Sequence, residues 1–133
     1  MLAAAHYWDQ NLVLDATGTY NIKNSAQNEG SSYVMNPIGD LSWLRALYAT
    51  LLDMNTAGAV SSSPSDVSLW TTELAHLAPL PTFTYNGHTD YKATQDAPGF
   101  YGGDANPVNP ATFAPVLGLG SSASELQALR NTI

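Results

Sequence analysis

The chain has 133 residues, of which 44% are hydrophobic and 11% are charged. This composition excludes a disordered tail and predicts folded structure with its own apolar core. Four basic residues stand against eleven acidic ones, for a net charge of −7. Because nucleic acids and anionic membranes bind clustered lysines and arginines, both are excluded as partners, whereas neutral polar partners such as carbohydrate remain compatible. The absence of cysteine excludes disulfides and thiolate metal sites.

The first third of the chain predicts one helix, one short strand and one loop. Residues 2–14 form an amphipathic pattern in which Ala5, Trp8 and Leu12 share a face. No basic stretch precedes them, so a helix is favoured over a signal peptide. After a turn, residues 19–23 alternate like a short strand. Residues 24–37 form a polar loop.

Two further helices follow at residues 39–56 and 65–78. The first has a wide apolar stripe, typical of a helix that is packed on two sides. In the second, Trp70 and Leu74 recur at helical spacing, and Pro79 ends the pattern. Residues 79–120 are rich in turn dipeptides. A last helix begins at Ser122, where Glu125 completes a capping box.

This order of elements predicts a mainly α fold, made of helical hairpins with long irregular loops and at most a short strand. The three tryptophans, Trp8, Trp43 and Trp70, are predicted to pack in the core rather than stack on a sugar. The loop aromatics remain open to both interpretations, because they serve equally as anchors for loops and as faces for a sugar ring; they are Tyr33, Tyr85, Tyr91, Phe100 and Tyr101.

Several stretches resemble glycoside hydrolase family 95, which contains α-L-fucosidases and related α-L-galactosidases. They are Ala4-Ala5-His6-Tyr7-Trp8 with Gly18-Thr19-Tyr20, the loop Asn24 to Glu29, Asp40-Leu41 to Arg45-Ala46-Leu47, Trp70-x-x-Glu73-Leu74-x-x-Leu77-Ala78-Pro79, and Pro107-x-x-Pro110 to Leu119. Together they span most of this chain but only a middle section of the family's catalytic domain. Gln27-Asn28 replaces the family's Ser-Pro, and Asn106 to Asn109 stands where a histidine-rich stretch is expected.

The resemblance implies an (α/α)6 toroid that hydrolyses glycosidic bonds with inversion, in an extracellular or periplasmic location. Twelve helices and their connections need roughly 200 residues, which this chain lacks. We therefore expect residues 1–133 to be a single domain or a fragment of a larger catalytic domain. Such a fragment would associate with the rest of that domain or with itself, and would be inactive alone.

Glu29 is the candidate catalytic residue, because an inverting glycosidase needs one protonated carboxyl and a second carboxylate about 6.5–9.5 Å away. Gln27 and Asn28 beside it, with Tyr33, Asn36 and Asp40, are the candidate substrate-binding residues. The plain alternatives are a solvated loop glutamate at position 29 and a helix-capping role for Asp40.

No metal or cofactor site is predicted. The loop carboxylates Asp90, Asp96 and Asp104 are scattered, which indicates solubility rather than a metal site. His6, His76 and His88 are also far apart, and His88 is interpreted as a turn residue.

Two other functions compete with the glycosidase interpretation. The first is a non-catalytic module whose loop 79–120 recognises a glycan or a protein. The second is an unrelated small helical protein that self-associates through apolar surface.

Overall fold

The computed structural model describes residues 1–26, 32–99, 106–108, 116–118 and 121–133. In these ranges the chain forms four helices, two antiparallel hairpins and one short 3-10 turn. In order they are α1 (Leu2–Asp9), β1 (Leu12–Leu14), β2 (Tyr20–Ile22), α2 (Ile38–Thr56), α3 (Pro64–His76), β3 (Thr82–Tyr85), β4 (His88–Tyr91), the turn Asn106–Val108 and α4 (Ala123–Thr132).

Helix α2 is the centre of the larger apolar core. Leu41, Leu44, Tyr48 and Leu51 recur at helical spacing and are buried. Helix α3 packs against α2 through the fully buried Trp70. Helix α1 packs against α2 through Ala5. Helix α3 begins after Ser63, whose hydroxyl accepts the Asp66 N–H at 3.1 Å.

The first hairpin turns through Asp15, whose carboxylate organises the loop. Asp15 Oδ1 accepts the N–H groups of Thr17 and Thr19, at 2.8 and 3.1 Å. Gly18 has a φ of +84°, which a residue with a side chain rarely adopts. These hydrogen bonds hold the pKa of Asp15 well below its usual range, with the Thr17 hydroxyl contributing most. The turn therefore sets the register that pairs Leu12 with Ile22.

The second hairpin turns at Asn86 and Gly87, which both have positive φ. This two-residue turn matches the twist of antiparallel strands and pairs Tyr85 with His88. Helix α4 packs along β4 and completes a smaller apolar cluster of Ile38, Tyr91, Leu117 and Ala128. The capping box that was predicted for this helix is confirmed, since Ser122 and Glu125 bond each other's N–H groups.

The prediction of a mainly α fold built from helical hairpins is wrong. Beside four helices, the described residues contain two small antiparallel sheets, so the architecture is mixed α and β. The predicted helix at 2–14 ends at Asp9, because the chain turns at Gln10 and Leu12–Leu14 pairs with Tyr20–Ile22. Strand pairing, a contact distant in sequence, overrides the helical spacing of Ala5, Trp8 and Leu12.

The two longer helices predicted after the first hairpin are confirmed to within about two residues at each end. Trp70 is buried as expected, and Trp8 is packed against the core. Trp43 is 55% exposed, so its predicted core position is wrong. In the described parts of the chain, no helix has both the length and the apolar character needed to cross a membrane.

Candidate functional site

A cavity of about 500 Å³ opens between the end of α1 and the first hairpin. Its aromatic lining consists of Tyr7 and Trp8, and its polar lining consists of Gln10, Asn11, Lys23, Asn24 and Ser25. Lys23 is the charged residue of this described lining. We call this cavity the α1 groove. Its volume falls within the range of small-molecule sites.

The α1 side of the groove is fixed by a tight exit from the helix. The Asn11 side-chain amide donates to the Tyr7 carbonyl at 2.6 Å, and the Asn11 N–H donates to the Trp8 carbonyl at 2.8 Å. The rings of Tyr7 and Trp8 meet edge to face at 5.5 Å between centroids. Because Trp8 is packed on the core, it supports Tyr7, which is 59% exposed.

The opposite side of the groove is the start of the loop in which the catalytic residue was predicted. Ser25 and Val34 pair through two backbone hydrogen bonds of 3.1 and 3.0 Å. This pairing joins the two ends of the segment that contains Gln27, Asn28 and Glu29. Those three predicted site residues lie outside the described residues, so their roles stay predictions.

Backbone conformations around this loop are unusual. Asn24, Tyr33 and Asn36 have φ values of 57°, 60° and 48°, in the left-handed region. Asparagine tolerates that region, whereas a bulky tyrosine is a genuine outlier there. Tyr33 is also 80% exposed, so burial does not offset its strain. Strain of this kind is concentrated at binding and catalytic sites, which favours a function for the loop.

Asn36, a predicted substrate-binding residue, is fully buried. Its Oδ1 accepts the Ile22 N–H at 2.8 Å, and its Nδ2 donates to Asn21 Oδ1 at 2.8 Å and to Gln95 Oε1. These contacts join β2, the loop and the segment after β4. Asn36 therefore holds the far end of the loop in place, and a direct contact with substrate stays a prediction.

Asp40 lies in the first turn of α2 but does not cap it. The N-cap position belongs to Pro37, with no side-chain cap, so the capping alternative is wrong. Instead, the Ser25 hydroxyl donates to Asp40 Oδ2 at 2.6 Å. Burial raises the pKa of Asp40, and the Ser25 hydrogen bond opposes that rise only in part. Through Ser25, this carboxyl is connected to the wall of the α1 groove.

A carboxyl pair that the sequence analysis missed joins three helices. Tyr48 Oη lies 2.7 Å from Glu73 Oε2 and 3.0 Å from Asp9 Oδ1, and Trp70 Nε1 donates to both oxygens of Asp9. A phenol has one proton and can donate to only one of two carboxylates. Burial and the nearby Asp9 charge raise the pKa of Glu73, while the Tyr48 hydrogen bond opposes that rise. The raised pKa and the shared phenol proton both favour the protonated form of Glu73.

A second missed pair lies on β4. His88 Nδ1 is 2.8 Å from Asp90 Oδ2, and the Asp90 side chain is fully buried. Residues two apart on a strand point to the same face, so His-Thr-Asp after Asn-Gly was the signal for this pair. It was missed because the hairpin was interpreted as irregular loop.

The comparisons with known proteins give no family for this chain. A scan against protein-family models finds no match, and a search of the curated proteins finds none either. The resemblance to glycoside hydrolase family 95 is therefore neither supported nor refuted by these comparisons.

Proposed function

We propose that the chain binds a neutral carbohydrate in the α1 groove. The observation that carries this proposal is the composition of the lining, in which an exposed aromatic ring is surrounded by amide and hydroxyl side chains. A sugar has apolar C–H faces that stack on aromatic rings and hydroxyl edges that bond amides. Tyr7 supplies the ring, and Gln10, Asn11 and Asn24 supply the amides.

The charge of the groove also fits a neutral ligand. The chain has a net charge of −7, which repels anionic ligands from its surface. Lys23 is a single positive charge in the described lining and lacks the clustered partners of a phosphate site. A ligand bound by hydrogen bonds and stacking is consistent with both facts.

Titration calorimetry with neutral fucosyl and galactosyl oligosaccharides tests the proposal. We expect saturable binding that weakens about tenfold in Tyr7→Ala, because the stacking surface is lost. Asn24→Gly should also weaken binding, since glycine keeps the positive φ and removes only the amide. Tyr85→Ala is the matched control, as Tyr85 is similarly exposed but lies on the other hairpin. Equal binding by Tyr7→Ala and the intact chain would refute the groove as the site.

As a second candidate, we propose that the same site hydrolyses fucosides or galactosides, with Glu29 as the general acid that the family resemblance implies. The observation in its favour is the raised pKa of Asp40, whose carboxyl bonds Ser25 in the groove wall. A carboxyl that holds its proton suits acid catalysis or the support of a catalytic acid.

Release of 4-nitrophenol from its α-L-fucoside and α-L-galactoside tests hydrolysis. Turnover that disappears in Glu29→Gln and falls in Asp40→Asn would support the enzyme. Sugar binding without turnover would leave the non-catalytic binding module as the function of this chain. Association with itself or with the rest of a catalytic domain stays a prediction, and light scattering of the pure chain tests the first.

A further inference from the structure

The buried carboxylate of Asp90 has an unusual environment. Its side chain is fully buried, and both of its oxygens lack a hydrogen-bond partner in the part of the chain that the structure describes. His88 Nδ1 approaches Oδ2 to 2.8 Å, a close polar contact between the two side chains. A buried carboxylate without hydrogen bonds is destabilising, so its position calls for an explanation, and a catalytic role is one that applies here.

The His88 side chain is partly exposed, although its Nδ1 is buried against Asp90. Its Nδ1 is inaccessible to solvent, whereas the whole side chain is 41% exposed. Nε2 lies on the opposite side of the ring from Nδ1, and so away from Asp90. A neutral imidazole has one proton, and the adjacent carboxylate favours its placement on Nδ1. The lone pair is then on Nε2, on the side of the ring away from Asp90.

An aromatic surface lies beside the His88 ring. Tyr85 is paired with His88 across the hairpin, and the two rings meet nearly at right angles with centroids 6.1 Å apart. Phe83 lies 6.2 Å from Tyr85 and extends the aromatic surface along β3. The Asn86-Gly87 turn holds the Tyr85 and His88 strands in register. A rigid hairpin therefore presents a base next to an apolar wall.

We propose that His88, positioned by Asp90, is a general base that promotes hydrolysis of neutral esters. The esters that fit best carry an apolar or aromatic group next to the scissile bond. This site is separate from the α1 groove and does not depend on the function proposed there. The net charge of −7 disfavours anionic substrates, and the Tyr85 ring favours an apolar group next to the scissile bond.

In the reaction, His88 Nε2 removes a proton from a water molecule while the water oxygen bonds to the ester carbonyl carbon. The bond from that carbon to the alcohol oxygen then breaks, and the imidazolium returns the proton to the leaving alkoxide. Ester and water become acid and alcohol, with no other reactant. Asp90 touches no reacting atom and is a positioning residue, which favours the tautomer that has its lone pair on Nε2.

Hydrolysis of 4-nitrophenyl acetate by the purified chain tests this proposal. We expect His88→Gln to lower the protein-dependent rate about 100-fold, the lower range for a general base. Glutamine keeps an N–H donor toward Asp90, which protects the fold, and near-ultraviolet circular dichroism checks it. Asp90→Asn should lower kcat about tenfold with little change in KM, because it affects orientation and not binding. If the role of Asp90 were purely structural, kcat would not fall while KM stayed nearly constant.

The other two histidines provide the matched control. The double variant His6→Gln with His76→Gln should keep the full rate. In the unmodified sequence, treatment with diethyl pyrocarbonate should abolish hydrolysis in step with labelling of His88, as followed by peptide mapping. A rate unchanged in His88→Gln, or a loss shared equally among the three histidines, would overturn the proposal.

Discussion

Glu73 on α3 and Asp90 on β4 are both buried acids, but their neighbours differ in kind. Glu73 faces the Tyr48 phenol and a second carboxyl, Asp9, so it is stable when it carries a proton. Asp90 faces the His88 imidazole, which can take a positive charge. The comparison shows that burial of an acid does not define its role. Glu73 connects helices through a phenol, whereas Asp90 lies opposite an imidazole that we propose as a base.

The largest expected effect is in the core around Glu73. Trp70→Ala removes a fully buried ring that stacks on Tyr48 and donates to Asp9, and should lower the free energy of unfolding by about 3–5 kcal/mol. Trp43→Ala is the control, since Trp43 is 55% exposed and should change stability by at most about 0.5 kcal/mol. Urea denaturation measures both. Similar losses in the two variants would contradict the described core.

The Asp90 environment is tested by a double-mutant cycle. His88→Ala removes the imidazole that contacts the buried Asp90 carboxylate and should destabilise the fold by about 1–2 kcal/mol, because that polar contact is lost. Adding Asp90→Asn should recover most of that loss, because the buried carboxylate is gone. Additive effects in the cycle would mean that the two side chains do not interact.

The Tyr48 hydroxyl is expected to contribute less than the Trp70 ring. Tyr48→Phe keeps the ring and removes the group that lies between Asp9 and Glu73, so we expect a loss of about 1–2 kcal/mol in unfolding free energy. Tyr33→Phe is the control, because Tyr33 is 80% exposed and its hydroxyl should contribute almost nothing. Thermal and urea unfolding of both variants distinguish them.

The smallest effect depends on pH. The ordinary pKa of Glu73 is 4.5, and burial raises it in the folded state. The folded state therefore binds the proton more tightly, and this stabilisation is complete below pH 4.5 and is lost as pH rises through the folded pKa. Glu73→Gln should remove this decrease in the free energy of unfolding, because glutamine does not ionise. Relative to the parent, the variant should therefore be more stable at pH 8 but not at pH 4, as measured by urea denaturation.

Glu125 should make the free energy of unfolding change with pH in the opposite direction. Hydrogen bonds from Ser122 lower the pKa of Glu125 in the folded state, so its contribution is present above its ordinary pKa and is lost as pH falls through the lowered value. Glu125→Gln should therefore lose stability at neutral pH and match the parent in acid. If both variants showed the same pH dependence, the raised pKa of Glu73 would be contradicted.

The contrast between the two regions also shows what the sequence could predict. Helices α2, α3 and α4 follow from apolar spacing, proline and the Ser122 cap, because these signals are local. The His88–Asp90 pair was within reach of sequence analysis, since the Asn-Gly turn and strand alternation are local as well. The Asp9–Tyr48–Glu73 cluster was not, because it depends on how three helices pack. Dependence on helix packing also explains why the sequence did not distinguish Trp43 from Trp70. Both lie on helices with similar apolar patterns, but Trp43 is exposed and Trp70 is buried.

The predicted site and the α1 groove overlap only at the start of one loop. The sequence singled out the loop around Glu29, whose role stays a prediction, and Asn24 and Ser25 at the start of that loop line the groove. Tyr7 and Asn11 were not predicted as lining residues, because residues 2–14 were interpreted as one continuous helix. The exit at Gln10 depends on pairing with β2, which a helical period does not reveal.

The end of α4 has a practical consequence for recombinant work. Thr132 Oγ1 accepts the Tyr91 N–H at 2.8 Å, and Asn131 Nδ2 donates to the Thr89 carbonyl at 2.9 Å. Removing the last three residues would break both links to the hairpin that presents His88. Ile133 is 88% exposed, so an affinity tag added after it should leave both hydrogen bonds intact. Expression clones should therefore lengthen this terminus rather than trim it.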